Sequence, residues 1–122
     1  MSRLNPGLTL AYLATAAIAA RSLVKHGAND GEVVLATATT DSLVGVTTDI
    51  PAAAGDHVDV VRAGVVPVRY GGTVTRGAPL TADATGAAVV AAAGNQVIGY
   101  AEVSGVAGDI GSIHLQRGRL AA

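Results

Sequence analysis

Two aspartates lie in nearly the same local sequence 53 residues apart, and a pair of carboxylates can perform general acid and base catalysis. Asp56 follows Gly55, and Asp109 follows Gly108. A glycine–aspartate pair before an apolar strand is also typical of a tight turn, in which the carboxylate accepts hydrogen bonds from backbone amides. Because this requirement is local and evident, we interpret Gly55, Asp56, Gly108 and Asp109 as parts of two equivalent structural turns.

The three histidines are the other side chains that could act in catalysis or bind a metal. His26, His57 and His114 follow no metal-ligand spacing, and the chain has no cysteine to complete a site. His57 and His114 each follow one of the two turns, so the fold could bring them together. Without a ligand motif, surface or half-buried histidines are the simpler interpretation. The sequence therefore predicts neither a metal site nor a cofactor.

Nucleophiles and phosphate-binding loops are poorly represented as well. None of the five serines lies in a nucleophile-elbow sequence. Residues 105–111 are rich in glycine, but an apolar strand follows them, whereas a phosphate cradle requires the amides at the start of a helix. We predict that the protein is not an enzyme.

The apolar sequence around the two turns is also repeated. Leu43-Val44-Gly45-Val46 precedes the first turn, and Val97-Ile98-Gly99-Tyr100 precedes the second. Self-similarity at one period indicates a duplicated supersecondary unit, in which two copies bury a shared core. Such units form scaffolds, so the repeat favours a structural or binding protein.

The composition indicates one small domain with a modest core. Of 122 residues, 25 are alanine, 17 are valine and 16 are glycine, and the chain has no phenylalanine, tryptophan or cysteine. Aromatic side chains normally bury about 150–250 Å² each, so a core of alanine and valine buries much less surface per residue. Because neither a disulfide nor a metal is available to reinforce such a core, we expect a homo-oligomer. The net charge of −1 and the isoelectric point near 6.2 argue against nucleic-acid or membrane binding.

Short apolar segments alternate with turn-forming residues about every 8–12 positions, which is typical of an all-β barrel or sandwich. We therefore predict a small all-β barrel or sandwich, built from two similar β units, with an extended N-terminal arm. Residues 1–12 would form the arm and first strand, and residues 13–122 a single β domain. The alternation of larger and smaller residues from Leu8 to Tyr12 favours a strand, although the alanines at 14–20 would permit a helical turn.

The N-terminal segment also has some features of a cleaved signal peptide. Residues 8–20 are apolar apart from two threonines, and alanines surround a potential cleavage point near Ala20. However, Arg3 is the one positive residue before this run, Asn5-Pro6-Gly7 interrupts any helix at its start, and the run is too short to span a bilayer. An arm that joins the fold is the preferred interpretation.

Several segments together resemble the tailed-bacteriophage capsid decoration proteins, also called cement or head-stabilising proteins. The resemblance covers roughly residues 8–116 and rests on the order and spacing of these segments: Leu8-Thr9-Leu10-Ala11-Tyr12, residues 16–24, Gly31-Glu32-Val33-Val34, Leu43-Val44-Gly45-Val46, residues 54–60, Gly77-Ala78-Pro79-Leu80 and Asp83-Ala84-Thr85-Gly86.

This resemblance implies a compact, tulip-like β domain that assembles as a homotrimer on the outer surface of the mature capsid. Such proteins bridge major capsid proteins at three-fold sites and stabilise the head. The virion would be the site of action, after synthesis in the host cytoplasm. In this family the N-terminal arm commonly contacts the capsid, which implies a contact through Arg3, Leu4, Asn5, Pro6, Leu8 and Leu10.

Two other classes of protein stay open from the residues alone. The first is a secreted or cell-surface β module that binds carbohydrate or protein, which processing of the N-terminus near Ala20 would favour. The second is a small enzyme. It would require at least one of Asp56, Asp109, His57 or His114 to be catalytic.

Overall fold

A computed structural model describes residues 5–120, the first three of them by their backbone alone, and shows nine β-strands in this part of the chain. In chain order the strands are β1 (Asn5–Ala14), β2 (Leu23–His26), β3 (Glu32–Leu35), β4 (Leu43–Thr47), β5 (His57–Arg69), β6 (Pro79–Ala82), β7 (Ala88–Val90), β8 (Gln96–Ala101) and β9 (Ile110–Arg119). Residues 5–120 contain no helix, and hence none that could cross a membrane. The predicted all-β fold is confirmed, and the alanines at 14–20 form no helical turn.

The nine strands form one hydrogen-bonded sheet in the order β1-β3-β2-β4-β5-β9-β8-β6-β7. A further pairing joins β1 to β5, so the first five strands close into a barrel. β5 is 13 residues long and serves both halves of the chain. It pairs with β1 as far as Val65 and with β9 from Gly64 onward.

The strands after β5 repeat the arrangement of the strands before it. β2 pairs with β3 and β4, just as β6 pairs with β7 and β8. The registers also agree, because Val24 lies opposite Gly45 and Leu80 lies opposite Gly99. The chain therefore contains two copies of one five-stranded unit, unit 1 (β1–β5) and unit 2 (β5–β9), which share β5. These are the two similar β units that the repeat predicted.

One type of connection occurs four times between the strands. It spans residues 15–22, 49–56, 71–78 and 102–109, and each copy leads directly into a strand. The first two copies are joined by a bridge between Ile18 and Ala52, and the last two by a bridge between Val74 and Gly105. The repeat seen in the sequence is thus part of a fourfold recurrence of one loop.

Two clusters of buried side chains form the core. One fills the barrel of unit 1 and contains Ala14, Ile18, Val24, Val33, Val44, Ala52, Val58 and Val60. The other joins the inside of unit 2 to the outer face of unit 1. Val60 and Val61 belong to different clusters because successive side chains of a strand point to opposite faces. Unit 2 therefore covers one outer face of unit 1.

Candidate interaction surface

Asp56 and Asp109 occupy matching turns. Oδ2 of Asp56 accepts a hydrogen bond from the Ala53 amide at 3.0 Å, and Oδ2 of Asp109 accepts one from the Val106 amide at 3.0 Å. The glycine before each aspartate has a φ of 91°, a left-handed conformation that glycine adopts without steric cost. Each carboxylate therefore bonds the backbone of its own turn.

The two turns lie at opposite ends of β5. Asp56 directly precedes β5, and Tyr70 directly follows it. The carbonyl oxygen of Asp109 accepts a hydrogen bond from the amide of Tyr70, which places Asp109 at the far end of β5. A strand of 13 residues is up to about 43 Å long. The two carboxylates cannot act together on one substrate group.

The histidines are likewise kept apart. His57 begins β5, whereas His114 lies opposite Val65. Eight residues of strand separate those positions, which is up to about 26 Å. Among the described residues, no three acidic or histidine side chains are grouped closely enough to hold a metal ion. Neither the two aspartates nor these two histidines therefore converge on one site.

Within residues 5–120 one ion pair forms, between Nζ of Lys25 and Oδ1 of Asp41 at 3.4 Å. Oδ2 of Asp41 also accepts hydrogen bonds from the amides of Thr37 and Ala38, at 2.9 and 3.0 Å. Burial by itself would raise the pKa of Asp41, but the two amides and Lys25 together hold this pKa below its ordinary value. Asp41 therefore fastens the β3–β4 connection to β2, which is a structural role.

The N-terminal strand carries exposed apolar side chains. Leu8 is 47% exposed and Leu10 is 41% exposed. Asn5 and Pro6, which were expected in an arm, pair with β5 as the first residues of β1. Arg3 and Leu4, the other residues of the expected contact, lie outside the described residues.

One edge of β1 is largely unpaired. β3 contacts this edge at Leu13 and Ala14, and no other strand in residues 5–120 does so. The sequence from residue 4 to residue 20 contains no charged side chain. Natural proteins usually protect a free strand edge with charges or cover it. An uncharged free edge beside two exposed leucines is therefore a candidate surface for contact with another protein.

The fold and this surface define a small β scaffold, in whose described residues no cluster that could hold a metal ion forms. A family model for phage cement proteins matches residues 3–115, nearly the whole chain. The chain therefore belongs to the phage cement protein family, and it is a structural protein of the phage head.

A solved structure supports the same fold. The chain is similar to the N base of the head fiber protein gp8.5 of bacteriophage phi29, with a TM-score of 0.71 and 21% sequence identity. The similarity covers 94% of this chain and 98% of that one. At this level of identity the likeness shows the fold alone. No curated protein matches the chain.

Tyr100 was not predicted to be a surface residue, and His114 was considered only for catalysis or metal binding. They lie opposite each other on β8 and β9, and both are exposed. A signal was present in the repeat, because aligning the two units places Tyr100 at the position of Val46 and His114 at that of Val61. Two buried aliphatic positions of unit 1 are thus exposed and amphipathic in unit 2.

Proposed function

We propose that the protein is a cement protein that binds the outer surface of the mature phage capsid. It bridges major capsid proteins at three-fold sites and stabilises the head. The match to the phage cement family over residues 3–115 is the observation that carries this proposal. The protein acts on the virion after synthesis in the host cytoplasm, and neither nucleic acid nor membrane takes part in its binding.

The N-terminal strand is the proposed capsid contact. This contact comprises Arg3, Leu4, Asn5, Pro6, Leu8 and Leu10. The exposure of Leu8 and Leu10 and the free edge of β1 support it, because buried apolar surface contributes about 25 cal/mol per Å². Linking three copies in one homotrimer would add avidity to a contact that is weak for a single copy.

A homotrimer is the proposed state of the protein. The core supports this, since Tyr70 is the one aromatic side chain among the largest fully buried side chains of residues 5–120, and the rest are leucine, isoleucine and valine. A core of this kind leaves little margin in a chain of this size. Contacts between copies would supply additional buried surface.

The decisive experiment mixes the full chain with empty expanded and unexpanded heads. We expect bound protein to sediment with expanded heads, and electron cryomicroscopy to show added density at three-fold sites. Binding to neither form of head would contradict the proposed function.

A variant tests the proposed contact. Replacing both Leu8 and Leu10 with aspartate should lower the affinity for heads at least tenfold, because the exposed apolar surface is lost. Ile50→Asp is the matched control, since Ile50 is 69% exposed but lies in the 49–56 connection. If the wild-type chain binds heads and the leucine variant binds equally well, the contact lies on another surface.

A further inference from the structure

The two units differ in how one equivalent face is covered. In unit 1, Leu23, Val46 and Val61 lie side by side across β2, β4 and β5. Each of these three side chains is at most 1% exposed. They point away from the barrel of unit 1 and pack in one cluster with Leu80 and Ile98 of unit 2. This outer face of unit 1 is therefore an interface with a second unit of the same fold.

The same positions in unit 2 are Pro79, Tyr100 and His114, which lie side by side across β6, β8 and β9. We refer to these three residues as the Tyr100 face. Tyr100 is 36% exposed, His114 is exposed and Pro79 is half-buried. No other element of residues 5–120 covers this face as unit 2 covers unit 1.

The residue types on the Tyr100 face suit a surface that is solvent-exposed in the free protein and buried in a complex. Tyrosine and histidine combine an apolar ring with a polar group, and tyrosine is enriched in protein interfaces. The chain has three tyrosines, of which Tyr70 is 1% exposed and Tyr12 is half-buried. The most exposed tyrosine is thus placed where the duplicated fold has an uncovered interface.

Pro79 shows that the contact within the chain cannot simply be repeated between chains. The amide of Leu23 donates a hydrogen bond to the carbonyl oxygen of Gly86 at 2.8 Å, which helps to seat unit 2 on unit 1. Pro79 occupies the position of Leu23 and has no amide hydrogen. A partner on the Tyr100 face must therefore be held without this backbone hydrogen bond. Most soluble homo-oligomers have closed symmetry, so we consider a closed ring of copies.

We propose that the Tyr100 face is the surface through which each copy of this chain contacts the next copy in a closed homo-oligomer. The occupant is a second copy because the equivalent face of unit 1 is covered by another unit of the same fold. The proposal rests on the homotrimer of the proposed function and assigns its contact surface.

The first test measures the mass of the full chain by sedimentation equilibrium, for the wild type, Tyr100→Glu and Val106→Glu. We expect a trimer for the wild type and a monomer for Tyr100→Glu. Val106 is 55% exposed and lies in the 102–109 connection, so Val106→Glu should remain trimeric. A wild-type chain that stays monomeric at high micromolar concentration, or a trimeric Tyr100→Glu variant, would overturn the proposal.

A second test does not depend on breaking the interface. The chain has no cysteine, so Tyr100→Cys and Val106→Cys each introduce a single reporter thiol. On raising the protein concentration, the thiol at position 100 should become at least tenfold slower to react with a maleimide, while the thiol at position 106 keeps its rate. Equal protection of both thiols, or of neither, would overturn the proposal. A wild-type trimer that fails to bind heads would instead reject the capsid-binding function and leave this interface in place.

Discussion

The ring of Tyr70 lies directly against the backbone of Gly111, so that any Cβ at position 111 would overlap the phenol. The hydroxyl of Tyr70 donates a hydrogen bond to the carbonyl oxygen of Val103 at 2.7 Å. Burial raises the pKa of Tyr70, which keeps the phenol a neutral donor. In unit 1 the matching positions hold Ala14 and Val58. The two units therefore fill the same space differently. In unit 2 the larger residue of the two is Tyr70 and the other is glycine, whereas in unit 1 the larger is Val58 and the other is alanine.

This exchange of volume predicts a strong coupling between the two positions. Gly111→Val should destabilise the protein by about 1–3 kcal/mol, because the new side chain overpacks the site. Tyr70→Ala should cost about 3–5 kcal/mol, because it leaves a cavity. The double variant restores the pair used in unit 1 and should cost less than the sum by about 0.5–3 kcal/mol.

Urea unfolding of all four proteins at one fixed concentration would measure this coupling, because oligomerisation makes apparent stability depend on concentration. Strictly additive losses would show that the two positions do not share one space. A matched pair from unit 1, Val58→Gly with Ala14→Tyr, would test the same exchange in reverse.

Arg21 is the one residue other than glycine with a positive φ, 55°, in the described part of the chain. It lies two residues before a strand, as do Gly55, Gly77 and Gly108, which also have positive φ. The left-handed conformation costs about 1–2 kcal/mol for a residue with a Cβ. Replacing Arg21 with glycine would remove this cost, but glycine loses more backbone entropy on folding, which offsets part of the stabilisation. We expect Arg21→Gly to stabilise the protein by up to about 1 kcal/mol.

The urea midpoint at fixed protein concentration checks this expectation, and Gly77→Ala provides the control. Gly77 has a φ of 91° and no heavy atom near the position of an added Cβ, so this change tests the backbone conformation alone. It should lower the midpoint. A lower midpoint for Arg21→Gly would mean that the contacts of the arginine side chain stabilise the fold by more free energy than its backbone strain costs.

The sequence predicted those features that depend on neighbouring residues. The turns at Asp56 and Asp109 could be predicted because a glycine and a carboxylate satisfy the backbone of their own turn. The repeat also identified Gly45 and Gly99 as matching positions, but it did not explain why both are glycine. A Cβ at Gly45 would collide with the carbonyl oxygen of Val61, and one at Gly99 with that of His114. That approach of two strands depends on the tertiary pairing.

The candidate surface was predictable to a similar degree. The alternation that begins at Leu8 placed Leu8 and Leu10 on a strand, but their exposure depends on which other elements pack against β1. The exposure of Tyr100 could not be read from the sequence, because it depends on which face of unit 1 is covered by unit 2. Sharing of β5 between the units is likewise a property of pairings between distant residues.

The lowered pKa of Asp41 predicts a specific dependence of stability on pH. Its pKa is lowered in the folded protein, against burial, by the amides of Thr37 and Ala38 and by Lys25. The ordinary value of 3.8 applies to the unfolded chain. The group therefore stabilises the fold above pH 3.8, and this stabilisation is lost as the pH falls through the lower pKa of the folded protein.

Urea midpoints measured for the wild type and Asp41→Asn between about pH 6 and pH 2 would test this dependence. The midpoint of the wild type should fall more steeply on acidification, and the two proteins should converge at the acid end. Parallel curves would show that Asp41 does not contribute to acid sensitivity. Asp59→Asn is a suitable control, because Asp59 is an exposed carboxylate outside the ion pair of Lys25 with Asp41.

The two turn aspartates predict equal and independent contributions to stability. Asp56→Ala and Asp109→Ala each remove one hydrogen bond to a backbone amide and should each cost about 1 kcal/mol in the free energy of unfolding. Because the two turns lie at opposite ends of β5, the losses should add within about 0.5 kcal/mol in the double variant. Asparagine keeps an acceptor oxygen, so the Asp→Asn variants should lose less. A double variant that departs strongly from additivity would mean that the two units unfold separately, since β5 would then no longer couple its two ends into one cooperative structure.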